Sequence, residues 1–203
     1  MFNKNEIMKR IVSYIYVYTL RNGKSPTISE IATHIGITTE ECIKEIINEM
    51  LKKNYINEKL ELTTDGRKLI KVGLIGGVFD ILHKGHIFTL RRAREKVDVL
   101  VAVIARNTTV KKFKGREAIM DEKDRREIID SIKYVDLAIL GDEQDFMKPV
   151  KLIKPDVIFL GYDQELPPST SGKIPQDKII RLSEYIDNIK TSGIINKIKR
   201  LKL

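Results

Sequence analysis

Apolar positions along this chain follow one period up to about residue 70 and another beyond it. Ile7, Ile11, Tyr14, Ile15 and Tyr18 recur every three or four residues, the stripe of an amphipathic helix. Asn22-Gly23-Lys24-Ser25-Pro26 stops that helix, because glycine accepts a left-handed cap and Pro26 restricts Ser25. A short helix is predicted from Ile28 to His34, a turn at Gly36, and a third helix from Thr38 or Thr39 to about Lys53. Tyr55-Ile56 and Leu60-Glu61-Leu62 flank Asn57-Glu58 and predict a small β-ribbon, ended by Thr64-Asp65-Gly66.

From Lys71 onward the apolar runs are short, β-branched and unalternating: 72–77, 99–105, 137–140 and 157–160. Strands covered on both faces read this way, and helical patterns at about 85–96, 121–133 and 145–153 lie between them. Strand-helix-strand repetition of buried strands predicts an α/β fold, a doubly wound parallel sheet with Rossmann-like organisation. We therefore expect two domains, residues 1–70 and 71–203. In such sheets ligands bind beyond the carboxyl ends of the strands, so the informative residues should follow each apolar run.

Composition narrows the class. Of 203 residues, 42% are hydrophobic and 32% charged, which describes a globular chain. Cys42 is the single cysteine, which excludes an internal disulfide framework and a cysteine-rich zinc site. No apolar run reaches membrane-spanning length and no secretory leader is evident, so the expectation is a cytoplasmic protein with no membrane partner. The net charge of +9 invites a polyanionic partner, but residues 1–70 hold 11 basic and 9 acidic side chains. The remaining 26 basic and 19 acidic residues put most of the positive charge, and the attraction for anions, in the C-terminal part.

Candidate chemistry clusters at the strand ends. Gly77-Val78-Phe79-Asp80-Ile81-Leu82-His83-Lys84-Gly85-His86 follows the first strand and opens a helix. A helix N-terminus presents unpaired N–H groups and partial positive charge, and two imidazoles there can donate to phosphate oxygens. Gly85 removes a side chain that would hold a phosphate off the backbone. A metal pair is the competing reading of His83 and His86, but no convergent third ligand is evident. Lys111, Lys112, Lys114 and Arg116 form a cationic loop after the second strand. Asp124-Arg125-Arg126-Glu127 opens a further helix, Gly161-Tyr162-Asp163-Gln164 follows the fourth strand, and Thr191-Ser192 can cap a last helix.

On these residues two resemblances can be stated. "GVFDILHKGH" resembles the GxFDxxHxGH signature of the HxGH nucleotidyltransferase superfamily, which includes glycerol-3-phosphate cytidylyltransferases and archaeal FAD synthases. "KTSGI" at 190–194 is similar to that group's second signature, ISTSxI, with Lys190 in place of its first serine. Residues 124–136 resemble its DRxxxLxxxxxVD block, with Ile129 for the leucine. "GYDQ" is similar to the archaeal FAD synthases, although these usually end in a cysteine-containing tail and this sequence has no cysteine after Cys42. The N-terminal "NGKSPTISEIATHIGIT" resembles the winged helix-turn-helix domain of SOS-type repressors.

The first resemblance implies transfer of a nucleoside monophosphate from a triphosphate to a phosphorylated small molecule, with release of pyrophosphate. It implies roles for His83 and His86 at the α- and β-phosphates, and for Lys111, ahead of Lys112, and Arg125 at the transferred or attacking phosphate. Gly77, Val78, Phe79, Asp80, Gly85, Gly161 and Asp163 would line the nucleotide site, and Thr191 and Ser192 the β/γ-phosphates. Mg²⁺ is expected with the triphosphate rather than in a protein cage. ATP with FMN, giving FAD, is the first expectation; CTP with glycerol 3-phosphate or another phospho-alcohol is the second. A nucleotide-sensing transcription regulator is a third, from another class. It depends on DNA meeting a helix that carries Glu40, Glu41, Glu45 and Glu49, where carboxylates repel phosphates. A packing or homodimerising role suits that helix better.

Overall fold

The computed structural model describes residues 3–162, 164–167, 170, 172–182 and 191–201, leaving out the side chain of Ser192. The chain divides into two compact units, Met1–Lys71 and Val72–Leu203.

In the first unit, α1 (Lys4–Asn22) packs against α2 (Ile28–Ile35) and α3 (Glu40–Lys52). The buried face of α1 is Met8, Ile11, Val12, Ile15 and Tyr16. Tyr14 and Tyr18 lie off that face: Tyr14 stacks on His34 at 4.0 Å, and the Tyr18 hydroxyl donates to Glu30 at 2.6 Å. Gly23 and Gly36 both take left-handed caps, at φ 69° and 80°. α2 starts with a capping box in which Thr27 and Glu30 satisfy each other's backbone N–H groups. The expected ribbon contracts to one antiparallel bridge, Ile56 to Leu62. Asn57 causes this. Its side-chain oxygen accepts from both Lys59 N and Glu61 N, and Leu60 turns at φ 59°, so the chain folds back before a ladder can form. Thr63 then caps α4 (Thr64–Arg67) through Gly66 N, where a β-ribbon end was expected.

The second unit is a five-stranded sheet of β1 (Val72–Gly77), β2 (Val99–Ile104), β3 (Leu137–Leu140), β4 (Val157–Leu160) and β5 (Ile179–Arg181). All neighbours are parallel and the order is β3-β2-β1-β4-β5. α5 (Lys84–Arg94), α6 (Asn107–Lys114), α7 (Glu122–Asp130), α8 (Met147–Ile153) and α9 (Thr191–Arg200) complete it. The segment expected as a cationic loop is therefore helical over 107–114, because Val110 buries and Gly115 at φ 64° provides a left-handed stop. β5 was not anticipated.

The first strands are fixed at their amino ends by two equivalent clasps. Asp156 accepts from Val72 N at 2.7 Å while its own N–H donates to Val72 O. Asp136 does the same for Leu100, at 2.7 Å and 3.0 Å. Above them the core joins Ile75, Leu90, Leu100, Ala102, Ile104, Ile129 and Phe159, all nearly inaccessible. This order reverses between β1 and β4, which places the switch point, and the ligand crevice of such folds, at their carboxyl ends.

Candidate active site

The β1–β4 ladder ends at the pair Ile75–Phe159. Beyond it a side chain takes over. Gln164 accepts from Gly161 N at 2.9 Å through Oε1 and donates to Gly76 O at 3.2 Å through Nε2. Arg181, at the end of β5, donates to the carbonyls of Gly161 (3.1 Å) and Gln164 (2.6 Å). Past the last ladder pair the two strands are thus linked through the Gln164 side chain, with Arg181 tying the loop after β4 to β5. Neither Gln164 as a bridge nor Arg181 as a clamp was foreseen; both act across 17 or more residues of sequence. Asp163 lies outside the described residues.

On the β1 side the chain turns sharply. Phe79 adopts φ 50°, a left-handed conformation that costs a non-glycine residue about 1–2 kcal/mol. The turn lays its ring over Gly77, where a Cβ would stand 2.6 Å from the ring, so a side chain there would have to displace Phe79. The same ring lies 5.4 Å from that of His86. His83 is the extended residue before α5, and its carbonyl accepts from His86 N at 2.9 Å. The two imidazoles stack with centroids 3.9 Å apart and 25° between planes. Nδ1 of each is buried and without a hydrogen-bond partner among the described residues. Buried polar atoms are ordinarily satisfied, so this pair marks where a ligand group belongs.

Two buried charges hold the turn in place. Asp80, 3% exposed, accepts from Ile119 N (2.8 Å), Met120 N (3.1 Å) and Arg116 Nη1 (3.0 Å). Arg125 is wholly buried and donates to Val78 O (2.6 Å), Ala105 O (2.9 Å), Met120 O (3.0 Å) and Asn107 Oδ1 (2.8 Å). Both were expected at the nucleotide or its phosphates. Their polar atoms instead face the protein and join the β1–α5 turn to the segments on either side of α6. Lys111 is on exposed α6 and pairs with Glu117 at 3.1 Å. Gly85 lies in the first turn of α5, its carbonyl accepting from Thr89 at 3.0 Å. Thr191, the first residue of α9, donates to Ile81 O at 3.5 Å. That contact brings the start of a second helix beside the β1–α5 turn. Ser192 follows it within α9, and Lys190 lies outside the described residues.

Burial pushes both imidazoles toward the neutral form, His86 down to about 4, with the neighbouring His83 adding to the shift. Between pH 6.5 and 4 the unfolded chain takes up a proton that folded His86 refuses. Stability should therefore fall as pH falls through this window, by up to about 3 kcal/mol from this group. An NMR titration checks it: the His86 imidazole should remain neutral at pH 5 in the free protein. Titration near 6.5 would contradict the burial argument.

A parallel α/β sheet whose crevice is bordered by two helix starts and a buried imidazole pair defines a nucleotide-handling enzyme of the HxGH type. Comparison with known proteins places it further. Residues 74–195 match the cytidylyltransferase-like family model, and the chain belongs to that family of nucleotidyltransferases. A FAD synthase of Thermoplasma acidophilum is 42% identical over 126 residues, 60% of this chain and 88% of that protein. One from Pyrococcus abyssi is 40% identical over 144 residues, 67% of this chain and 97% of that protein. Among solved structures, the lipopolysaccharide core biosynthesis protein from Thermoplasma volcanium matches with a TM-score of 0.52 and 40% identity. It is covered over 99% of its length by 58% of this chain.

Proposed function

We propose that this nucleotidyltransferase transfers AMP from ATP to FMN, forming FAD and pyrophosphate. The observation that carries this reading is identity of 40–44% to archaeal FAD synthases over 78–97% of their length. In the reaction a phosphate oxygen of FMN attacks the α-phosphorus of ATP. A new P–O–P linkage forms, the bond from the α-phosphorus to the bridging oxygen breaks, and pyrophosphate leaves with the electron pair.

No covalent protein intermediate is needed, so the enzyme's share is positioning and charge stabilisation. His83 and His86 approach the α/β-phosphates as neutral donors, which binds the anion without the penalty of burying two imidazolium ions. The start of α9, with Thr191 and Ser192, receives the β/γ-phosphates. The basic helix α6, with Lys111, Lys112 and Lys114, supplies cationic charge on the acceptor side. Among the described residues no three histidine, cysteine or acidic side chains converge. Mg²⁺ arriving on the triphosphate suits that composition and would supply neutralisation of the departing pyrophosphate.

Pyrophosphate release from the full chain with Mg²⁺, for ATP or CTP each paired with FMN or glycerol 3-phosphate, tests the reading. Turnover is expected for ATP with FMN alone. Turnover confined to a CTP pairing would replace it with cytidylyl transfer.

A further inference from the structure

The features above gather at β1 and β4, and they leave the carboxyl ends of β2 and β3 to be explained. α6 follows β2 and α8 follows β3, so both enter from the same end of the sheet as the crevice. Between them stands an aromatic pair. Phe113 of α6, 53% exposed, meets Phe146, the residue before α8, edge to face at 5.7 Å and 74°. The two segments that carry these rings are fastened together. Arg106, immediately before α6, donates to Gly141 O just after β3 at 2.8 Å, and its other end pairs with Glu122 at 2.6 Å. The pair is therefore held at the surface by a built connection.

Its electrical surroundings are lopsided. Lys112 Nζ lies 5.7 Å from the Phe113 centroid, and Lys114 is next along the helix. Lys111 and Lys148 are occupied by Glu117 and Asp142, whereas Lys112 and Lys114 form no ion pair among the described residues. An exposed π-face beside uncompensated cations matches a ligand that is flat at one end and anionic at the other. Of the two substrates, the triphosphate belongs at the starts of α5 and α9, which leaves the acceptor for this edge.

We propose that Phe113 and Phe146 form the acceptor subsite, stacking the planar ring of a phosphorylated aromatic acceptor while Lys112 and Lys114 attract its phosphate. The inference rests on the FMN reading and adds a location and a selectivity to it. A phospho-alcohol such as glycerol 3-phosphate, with no ring, would gain nothing from this platform.

The test uses the full chain, with FMN and ATP varied separately in the pyrophosphate assay and FMN fluorescence quenching as a binding readout. Phe113→Ala should raise KM for FMN about tenfold, as expected for one lost stacking partner, and move KM for ATP by about twofold or less. Phe113→Trp should restore FMN affinity, a rescue that a merely structural role does not produce. Because Phe113 is exposed, the fold should survive, and circular dichroism checks this. If FAD forms but KM for FMN is unchanged in Phe113→Ala, or KM for ATP rises instead, the subsite is wrong and the function stands. If no FAD forms yet FMN quenching depends on Phe113, the subsite stands and the function falls. No FAD and no quenching by the wild type would overturn both.

Discussion

Replacing His86 by alanine is expected to lower kcat by about 10²–10³, the cost of removing one preorganised donor from a developing phosphate charge. The imidazole is held by its ring stack on His83 at 3.9 Å, by Phe79 at 5.4 Å, and by its place in the first turn of α5. Nothing in that arrangement requires its Nδ1, which has no protein partner among the described residues. Truncation should therefore remove chemistry more than structure. The melting temperature at pH 8, where both folded and unfolded histidines are neutral, should move by only a few degrees. His86→Asn retains a short N–H donor and should recover part of the rate. At pH 5 the alanine variant should lose less stability than the wild type relative to pH 8, because the group that resists protonation is gone. A kcat within about threefold of wild type would place His86 outside the reaction.

The architecture of the second unit was readable because its first four strands are buried on both faces, so each appears as an unbroken apolar run between helical patterns. Val99–Ile104 is such a run, and it sits at the centre of the order β3-β2-β1. β5 carries no such signal, since Ile179–Arg181 is three residues long, lies at a sheet edge and ends in a charge. α6 leaves no helical pattern in the sequence because four of its eight residues are Lys or Phe exposed to solvent, which hides the single buried Val110. The imidazole pair was legible from a local signature on a strand-helix turn. Its supports were not. Whether Arg125 meets a substrate phosphate or three backbone carbonyls depends on contacts up to 47 positions away, and no local pattern encodes that choice. The same holds for Gln164, whose amide completes a ladder 88 residues upstream. In the first unit, helix caps at Thr27, Gly23 and Gly36 follow local rules, while the ribbon failed because Asn57 closes its own turn.

Substituting Arg125 by methionine should cost about 3–5 kcal/mol of stability in the second unit, the range for deleting one member of a buried charged network. Methionine fills much of the volume, so the loss is of hydrogen bonds and not of packing. The carbonyls of Val78, Ala105 and Met120 and the Asn107 side chain would each lose the donor that the wholly buried Arg125 gives them. Burial already pushes the guanidinium pKa below the ordinary arginine range, while Asp80, Glu122 and Asp121 oppose that shift. Removing the cation would therefore also leave buried Asp80 with Arg116 as its remaining paired charge. Lysine should not rescue the variant, since one ammonium cannot span four acceptors arranged for a planar fork. Denaturant unfolding of the second unit measures the cost. Activity should fall in parallel, because the β1–α5 turn that carries the histidines is released from α6 and α7. The two roles assigned to this residue then separate cleanly. Loss of turnover with stability retained would mean that the guanidinium acts on the substrate, whereas loss of both, with activity recovering as the fold is stabilised by saturating nucleotide, identifies it as the tie beneath the phosphate turn.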